Sequence, residues 1–434
     1  MAASSHRQYN RKAVAGWAMY DFANSAFTTL IVTFIYSVFF TQSIAPDANY
    51  GTTLWARAVS TTALVVAALS PFMGALADRS GYRRRFLAIT TTLAILGAAL
   101  LYFPKPGQVM LALTIFVLAN IAYEMSGVFY NSYLPDVAPQ ERIGRVSGYG
   151  WALGYMGGLL AMLVALLAFI LPEQPWFGVS KTDGAHVRMT TVLVAVWFAV
   201  FSIPFFAWVK EMRQPSGDSA GEIVRDAGRR LASTFQEIRR YRQIFRLLVA
   251  RMVYNDGLIT IFAFGGIYAA ETFGFTLTEV MYFGLALNVT GGLGAVTMGF
   301  LDDRIGGKRT IMITIGGLIV GCLAAVLVTS KPGLWVAGLF IGLFVGPNQA
   351  ASRSLLGRFV PHEKETEFYG FFAFSGKAIA FLGPFMLGEF TRIFQSQRAG
   401  VAALLIFFVV GAALLTRVNE AEGFELARRP VTPV

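Results

Sequence analysis

Residues 74–85 read GALADRSGYRRR, and residues 299–309 read GFLDDRIGGKR. In each, a glycine is followed four residues on by aspartate, then by arginine, a second glycine and a basic cluster. A second pair keeps step with the first. PQERIGRVSG at 139–148 and PHEKETEFYG at 361–370 share proline, glutamate and glycine at identical spacing. The first pair is offset by 225 residues (74 to 299) and the second by 222 (139 to 361). Every one of these stretches lies between long apolar runs. Two parallel halves follow, a plan in which a transported solute sits between the halves near the bilayer midplane.

The composition agrees with a chain built for lipid. Of 434 residues, 55% are hydrophobic and only 14% charged, where a soluble domain would carry about 25% charge. Glycine (44) and phenylalanine (38) are abundant, as packed membrane helices require. The net charge of +11 does not point to nucleic acid, because the basic residues fall in short connections rather than on one face. A single cysteine, Cys322, excludes an internal disulfide and a cysteine-based metal site. The first apolar run is too long for a cleavable leader.

A helix needs about 20 apolar residues to cross the hydrocarbon core. Such runs begin near Ala15, Leu54, Phe86, Gln108, Ser147 and Met189, then near Ile244, Thr278, Thr310, Leu334, Phe371 and Ala399. The expected fold is therefore an all-α membrane protein of twelve transmembrane helices in two pseudo-symmetric six-helix halves. Connections alternate in charge. Arg7, Arg11 and Lys12 precede the first run. Arg79, Arg83, Arg84 and Arg85 follow the second, Arg142 and Arg145 the fourth, Arg304, Lys308 and Arg309 the eighth, and Arg358 and Lys364 the tenth. The intervening connections are poor in Lys and Arg, which places both termini in the cytoplasm. The halves span 1–209 and 244–418, with a cytoplasmic loop at 210–243 and a tail at 419–434. Within the loop, Ile223, Ala227, Leu231, Phe235 and Ile238 recur at helical spacing, predicting a basic amphipathic helix at the inner leaflet or cytoplasmic face.

Polar residues inside apolar runs are functional candidates, because a charge in hydrocarbon is expensive. Asp21, Asn24, Ser25 and Thr28 share one helix face. In the fourth run Asn120, Glu124 and Asn131 do the same, with Tyr123 beside them. Glu124 lies furthest from either end of its run, so it is the first choice for a proton carrier, ahead of Asp21 and Asp256. Tyr254 and Asn255 occupy the place in the second half that Tyr20 and Asp21 hold in the first. Arg251 and Asn255 share a face, and a pairing of Arg251 with Asp256 is open. Asn288, Asn348, Gln349 and Lys377 complete the candidate cavity. Arg353 and Lys377 fit either a substrate carboxylate or pairing with Glu124, Asp256 or Glu367. The glycine-rich stretches are not nucleotide loops, since no GxxxxGK[ST] occurs. No metal-ligand cluster, catalytic triad or cofactor motif is read, so no enzyme is expected.

The 74–85 motif resembles the loop signature between the second and third helices of the major facilitator superfamily. Further blocks resemble the bacterial UMF1 branch and the fungal Atg22-like vacuolar effluxers. These are YDFANSAF (20–27), YNSYLPDVA (130–138), RVSGYGWALGYMGG (145–158), YNDG (254–257), NQAASRSLLGRFVP (348–361) and FYGFFAFSGKAIAFLGP (368–384). The resemblance implies secondary transport by alternating access. Fungal relatives suggest amino-acid export. For the loop it implies a latch between halves, with Gly74, Asp78, Arg79, Gly81 and Arg83 in the first half and Asp302 and Arg304 in the second. The expectation is a monomeric, proton-coupled carrier of a small polar solute in a bacterial inner membrane. A non-transporting receptor or assembly factor stays open as an alternative, as do sugar, peptide, drug and lipid substrates.

Overall fold

The computed structural model describes residues 10–236 and 241–428, and these contain helices and turns but no strand. An apolar chain in lipid must satisfy its own backbone, and helices do so within one segment. In chain order α1 runs over residues 11–44, with widened turns at Phe27–Phe34 and Phe40–Ile44. There follow α2 (Ala48–Ser80), α3 (Arg83–Leu100), α4 (Val109–Asn131), α5 (Ile143–Ala165) and α6 (Ala185–Trp208). A loop helix, α7 (Ala220–Gln236), precedes α8 (Arg242–Phe273), α9 (Leu277–Ile305), α10 (Gly307–Leu327) and α11 (Lys331–Phe359). The chain closes with α12 (Glu365–Ser375), α13 (Leu382–Phe394), α14 (Gln397–Thr416) and α15 (Glu420–Arg428).

The helix ends follow local chemistry. Asn10 caps α1 by accepting from the N–H groups of Lys12 (3.0 Å) and Ala13 (3.4 Å). Thr276 and Glu279 form a reciprocal capping box at α9. Gly81, at φ +70°, ends α2 in the left-handed conformation, where a Cβ would be strained.

Among the described residues, ten stretches are long and apolar enough to cross a membrane. Two of the twelve expected runs fall outside that set for physical reasons. The 18-residue α3 opens with three arginines. The eleventh run is broken: α12 ends at Ser375, residues 376–381 form turns, and α13 begins at Leu382.

Buried apolar side chains divide along the repeat. One cluster takes its buried members from Tyr241 to Val418, and the other two lie between Val14 and Val209. Each half thus has its own core. The seam between them is made by glycines and polar groups. A Cβ at Gly74 would lie 2.3 Å from the Thr366 carbonyl oxygen, and one at Gly370 2.2 Å from that of Ser70. On the other seam a Cβ at Gly148 would lie 2.3 Å from the Ala295 carbonyl oxygen, and one at Gly299 3.0 Å from Arg145 Cα. All four glycines belong to the repeated motifs. They let α2 lie backbone to backbone on α12, and α5 on α9.

The loop helix α7 turns part of its apolar stripe inward against the protein. Ile223 and Ala227 are buried, and the helix packs along α2. Asp226 pairs with Arg79 of the first half at 3.0 Å, while Thr234 accepts from Lys364 of the second at 2.6 Å. Ile238 of the expected stripe lies outside the described residues.

Candidate functional site

A column of polar contacts follows the seam between the halves. At the end holding the repeated loops, called the charged end, Asp78 terminates α2 and reaches the second half. Its carboxylate accepts from the N–H groups of Thr366 (3.1 Å) and Glu367 (2.8 Å), at the start of α12, and pairs with Arg213. The opposite seam repeats the device with Asp303. Its carboxylate accepts from the N–H groups of Gly144 (2.9 Å) and Arg145 (3.3 Å), at the start of α5, and from Arg145 Nε (2.5 Å). Each carboxylate sits at the positive end of a helix in the other half, where backbone N–H groups and the helix dipole favour an anion.

The latch expected at Asp302 is therefore held by its neighbour. Asp302 packs against Gly144 across the seam but bonds within its own half, paired with Arg358 at 2.6 Å and accepting from Ser354, while Arg304 is exposed. The four-residue step from Gly74 to Asp78 gives Asp303 when taken from Gly299, so the signal lay in the motif. Arg83, expected in the first-half latch, is fully buried. It pairs with Asp136, with Glu211 (3.3 Å) and, across the seam, with Glu365 (3.3 Å). Burial alone would raise the Glu365 carboxyl. Its hydrogen bond with His362 and the charges of Arg83 and Arg213 outweigh that, and hold it below the usual glutamate range. Asp136, His362 and Glu365 offer atoms within 4.8 Å of one another. The two arginines already occupy the carboxylates, so the set is a salt network rather than a metal centre.

Further in, Asp21 meets Arg353 across the seam at 3.0 Å. Arg353 also donates to Asn131 Oδ1 (3.0 Å), Ser147 Oγ (2.9 Å) and the Ser147 carbonyl (2.8 Å), and lies 4.7 Å over Trp17. Deeper still, Lys377 Nζ lies 2.9 Å from Glu124 Oε1. The lysine comes from the interruption between α12 and α13, the glutamate from α4. Their side chains stay 22% and 31% exposed. Glu124 is thus a paired group on an open surface, not the most deeply buried carboxylate that its place in the run suggested. Tyr123 stacks on Phe27 at 4.6 Å and accepts from Thr28 at 2.6 Å. Ser25 donates to the Asp21 carbonyl, and Asn24 and Asn120 are buried in the first half.

Several candidates serve the second half alone. Asn348 donates to Thr314 (2.9 Å), Gln349 to Asn255 (2.8 Å) and Asn288 to the Gly284 carbonyl of its own helix (2.8 Å). Tyr254 bonds to Ser352 at 2.8 Å. Arg251 does not meet Asp256. It donates to the Phe372 carbonyl and Ser375 Oγ, each at 2.9 Å.

A family model described as "Vacuole effluxer Atg22 like" matches residues 51–428. The chain belongs to the Atg22-like family. This Atg22-like chain is 25% identical over 416 residues to the uncharacterized MFS-type transporter YxiO of Bacillus subtilis, covering 95% of this chain and 96% of that one. It is 22% identical over 441 residues to autophagy-related protein 22 of Coccidioides immitis, covering 84% and 72%. It spans half the length (50%) of autophagy-related protein 22-1 of Penicillium rubens. In fold it is similar to the proton:xylose symporter XylE (TM-score 0.70, 14% identity, 95% of both chains). A bacterial homologue of the iron transporter ferroportin is similar to the same degree (TM-score 0.70, 13% identity, 94% of this chain and 98% of that). The Atg22-like chain is therefore an integral, multi-pass protein of the major facilitator fold, and its relatives are transporters.

Proposed function

We propose that this protein is a proton-driven secondary transporter that moves a small polar solute of amino-acid type out of the cytoplasm by alternating access. The charged end faces the cytoplasm of a bacterial cell and is the closed end here. The observation that carries the reading is the Glu124–Lys377 pair. It joins the two halves, and both members stay partly exposed. A solute bearing an ammonium and a carboxylate offers each of them a replacement partner, so binding exchanges one inter-half contact for two solute contacts. Opening the charged end then requires releasing Asp21 from Arg353 and the two aspartate-capped helix ends. The positive residues at that end support a cytoplasmic placement, and the family's description as effluxers supports export.

Exchange of a radiolabelled mixture of the standard amino acids across proteoliposomes tests this. The wild-type chain should exchange label, and E124Q and K377M should each lose it. A charge-assisted hydrogen bond is worth about 1.5–3 kcal/mol, so the loss should be about tenfold to a hundredfold. The pair is partly exposed, so thermal stability should change by only about 1 kcal/mol or less. Unchanged exchange in both variants would remove the pair from the site.

A further inference from the structure

Two charged residues in the middle of α8, Arg251 and Asp256, both serve the interruption at residues 376–381. Arg251 satisfies the end of α12, donating to the Phe372 carbonyl and lying 3.6 Å over the Phe372 ring. Asp256 satisfies the start of α13: its Oδ2 accepts the Gly383 N–H at 2.8 Å. A cation at the negative end of one half-helix and an acid at the positive end of the next is the arrangement that broken membrane helices call for.

Asp256 is only 1% exposed, and its Oδ1 has no hydrogen-bond partner. No Lys, Arg or His among the described residues lies within ion-pair distance of it. The charged groups on the elements around it are engaged elsewhere. Arg251, on its own helix, is held by α12, and Lys377 is taken by Glu124. On α11, Arg353 pairs with Asp21 and Arg358 with Asp302. On α13, Arg392 pairs with Glu389. On α14, Arg398 donates to the Val328 carbonyl at one end, and at the other Arg246 donates to the Arg417 carbonyl while the Arg417 side chain is exposed. On α9, Glu279 pairs with Lys331, and Asp302, Asp303 and Arg304 lie at the charged end. Glu365 and Glu367 begin α12 there as well, and Glu420 and Glu422 of α15 bind Gly307 and Arg242. Tyr254 is bonded to Ser352.

An ionised carboxylate in such a place is costly unless paired. A metal cation needs about six oxygens or more. The surroundings offer Asp256 Oδ1 and Thr260 Oγ1, and the latter donates to the Asp256 carbonyl. A proton needs one oxygen. We infer that Asp256 carries the coupling proton: it is a neutral acid in this conformation and ionises when the interruption between α12 and α13 rearranges. The proton is taken from water and returned to water, with no other bond made or broken. Because Lys377 sits in that interruption, ionisation of Asp256 moves the lysine that holds Glu124. This rests on the transport reading above, and it assigns the proton to Asp256 rather than to Glu124.

Infrared spectra of the purified chain across pH test it without a substrate. The wild type and E124Q should show a protonated-acid carbonyl band that titrates, D256N should lack it, and D256E should retain it at a shifted position. A titrating band left intact in D256N would overturn the assignment. In proteoliposomes holding the amino-acid mixture, D256N should keep exchange, now independent of pH, and lose accumulation driven by a pH gradient. Gradient-driven accumulation in D256N would also overturn it. If the wild type neither exchanges nor accumulates while the infrared band still follows Asp256, the transport reading fails and the proton site stands.

Discussion

Adjacent aspartates at the end of α9 have opposite duties. Asp303 crosses the seam to the backbone of Gly144 and Arg145, while Asp302 holds Arg358 inside its own half. D302A would leave a buried guanidinium short of its closest partner, an effect of about 3–5 kcal/mol on stability, visible as a lowered midpoint of thermal unfolding in detergent. D303A should destabilise less but loosen the charged end. A cysteine at Ser132, which is buried and accepts from Thr366 across the seam at 3.3 Å, should then be alkylated faster in D303A than in D302A in a C322A background. The reverse order would return the latch to Asp302. Glu365 adds a pH dependence. Its native pKa is depressed because His362, Arg83 and Arg213 outweigh the effect of burial. A depressed carboxylate contributes stability that is complete above its unfolded value of about 4.3 and is lost as pH falls through the native one. Thermal stability should therefore fall below about pH 4 in the wild type, and this acid-side fall should be shallower in E365Q. Equal acid slopes would show that Glu365 is not the group responsible.

Among the elements, α7 touches both halves from outside the bundle, through Asp226–Arg79 and Thr234–Lys364. Ile223 and Ala227 of its apolar stripe are spent on this contact, with Ala227 fully buried against the protein. A227E places a charge in that contact, so the helix should detach and fray. Trypsin should then cleave at Arg229 and Arg230 about tenfold faster, since cleavage follows the population of the locally open state. An unchanged rate would mean that α7 is held by other contacts. The stripe was legible because it depends on spacing alone, whereas the surface it covers was not, because its partners lie far away in the chain. The same distinction runs through the site. Gly74, Gly148, Gly299 and Gly370 could be aligned from sequence because backbone contact tolerates no side chain. The partners of Asp21, Glu124 and Lys377 could not, because several arginines and carboxylates compete for them across 253 to 332 residues of chain. The broken eleventh helix left little trace either: apart from Lys377, GKAIAF (376–381) is apolar and holds no proline, and its break is stabilised by Arg251 and Asp256 of another helix.

At the scale of the whole molecule, two halves with separate cores meet along two seams related by the repeat, and both seams are closed at the charged end. The seam glycines fix this state. A methyl group at Gly74 would press on the Thr366 carbonyl, and one at Gly148 on the Ala295 carbonyl, each at 2.3 Å. Such overpacking costs about 1–3 kcal/mol, and it falls only on the closed arrangement, because opening the charged end separates these backbones. G74A and G148A lie on opposite seams, yet both should shift the population toward a molecule open at the charged end, by about tenfold to a hundredfold each. The two effects should combine in the double variant, since each penalises the same closed state through a separate contact. Alkylation of S132C in the C322A background reads the shift, and stability in detergent should change far less than accessibility. A variant that lost stability without gaining accessibility would show the seam to be ordinary packing. In that case the halves would not part along it, and alternating access would need a different dividing line.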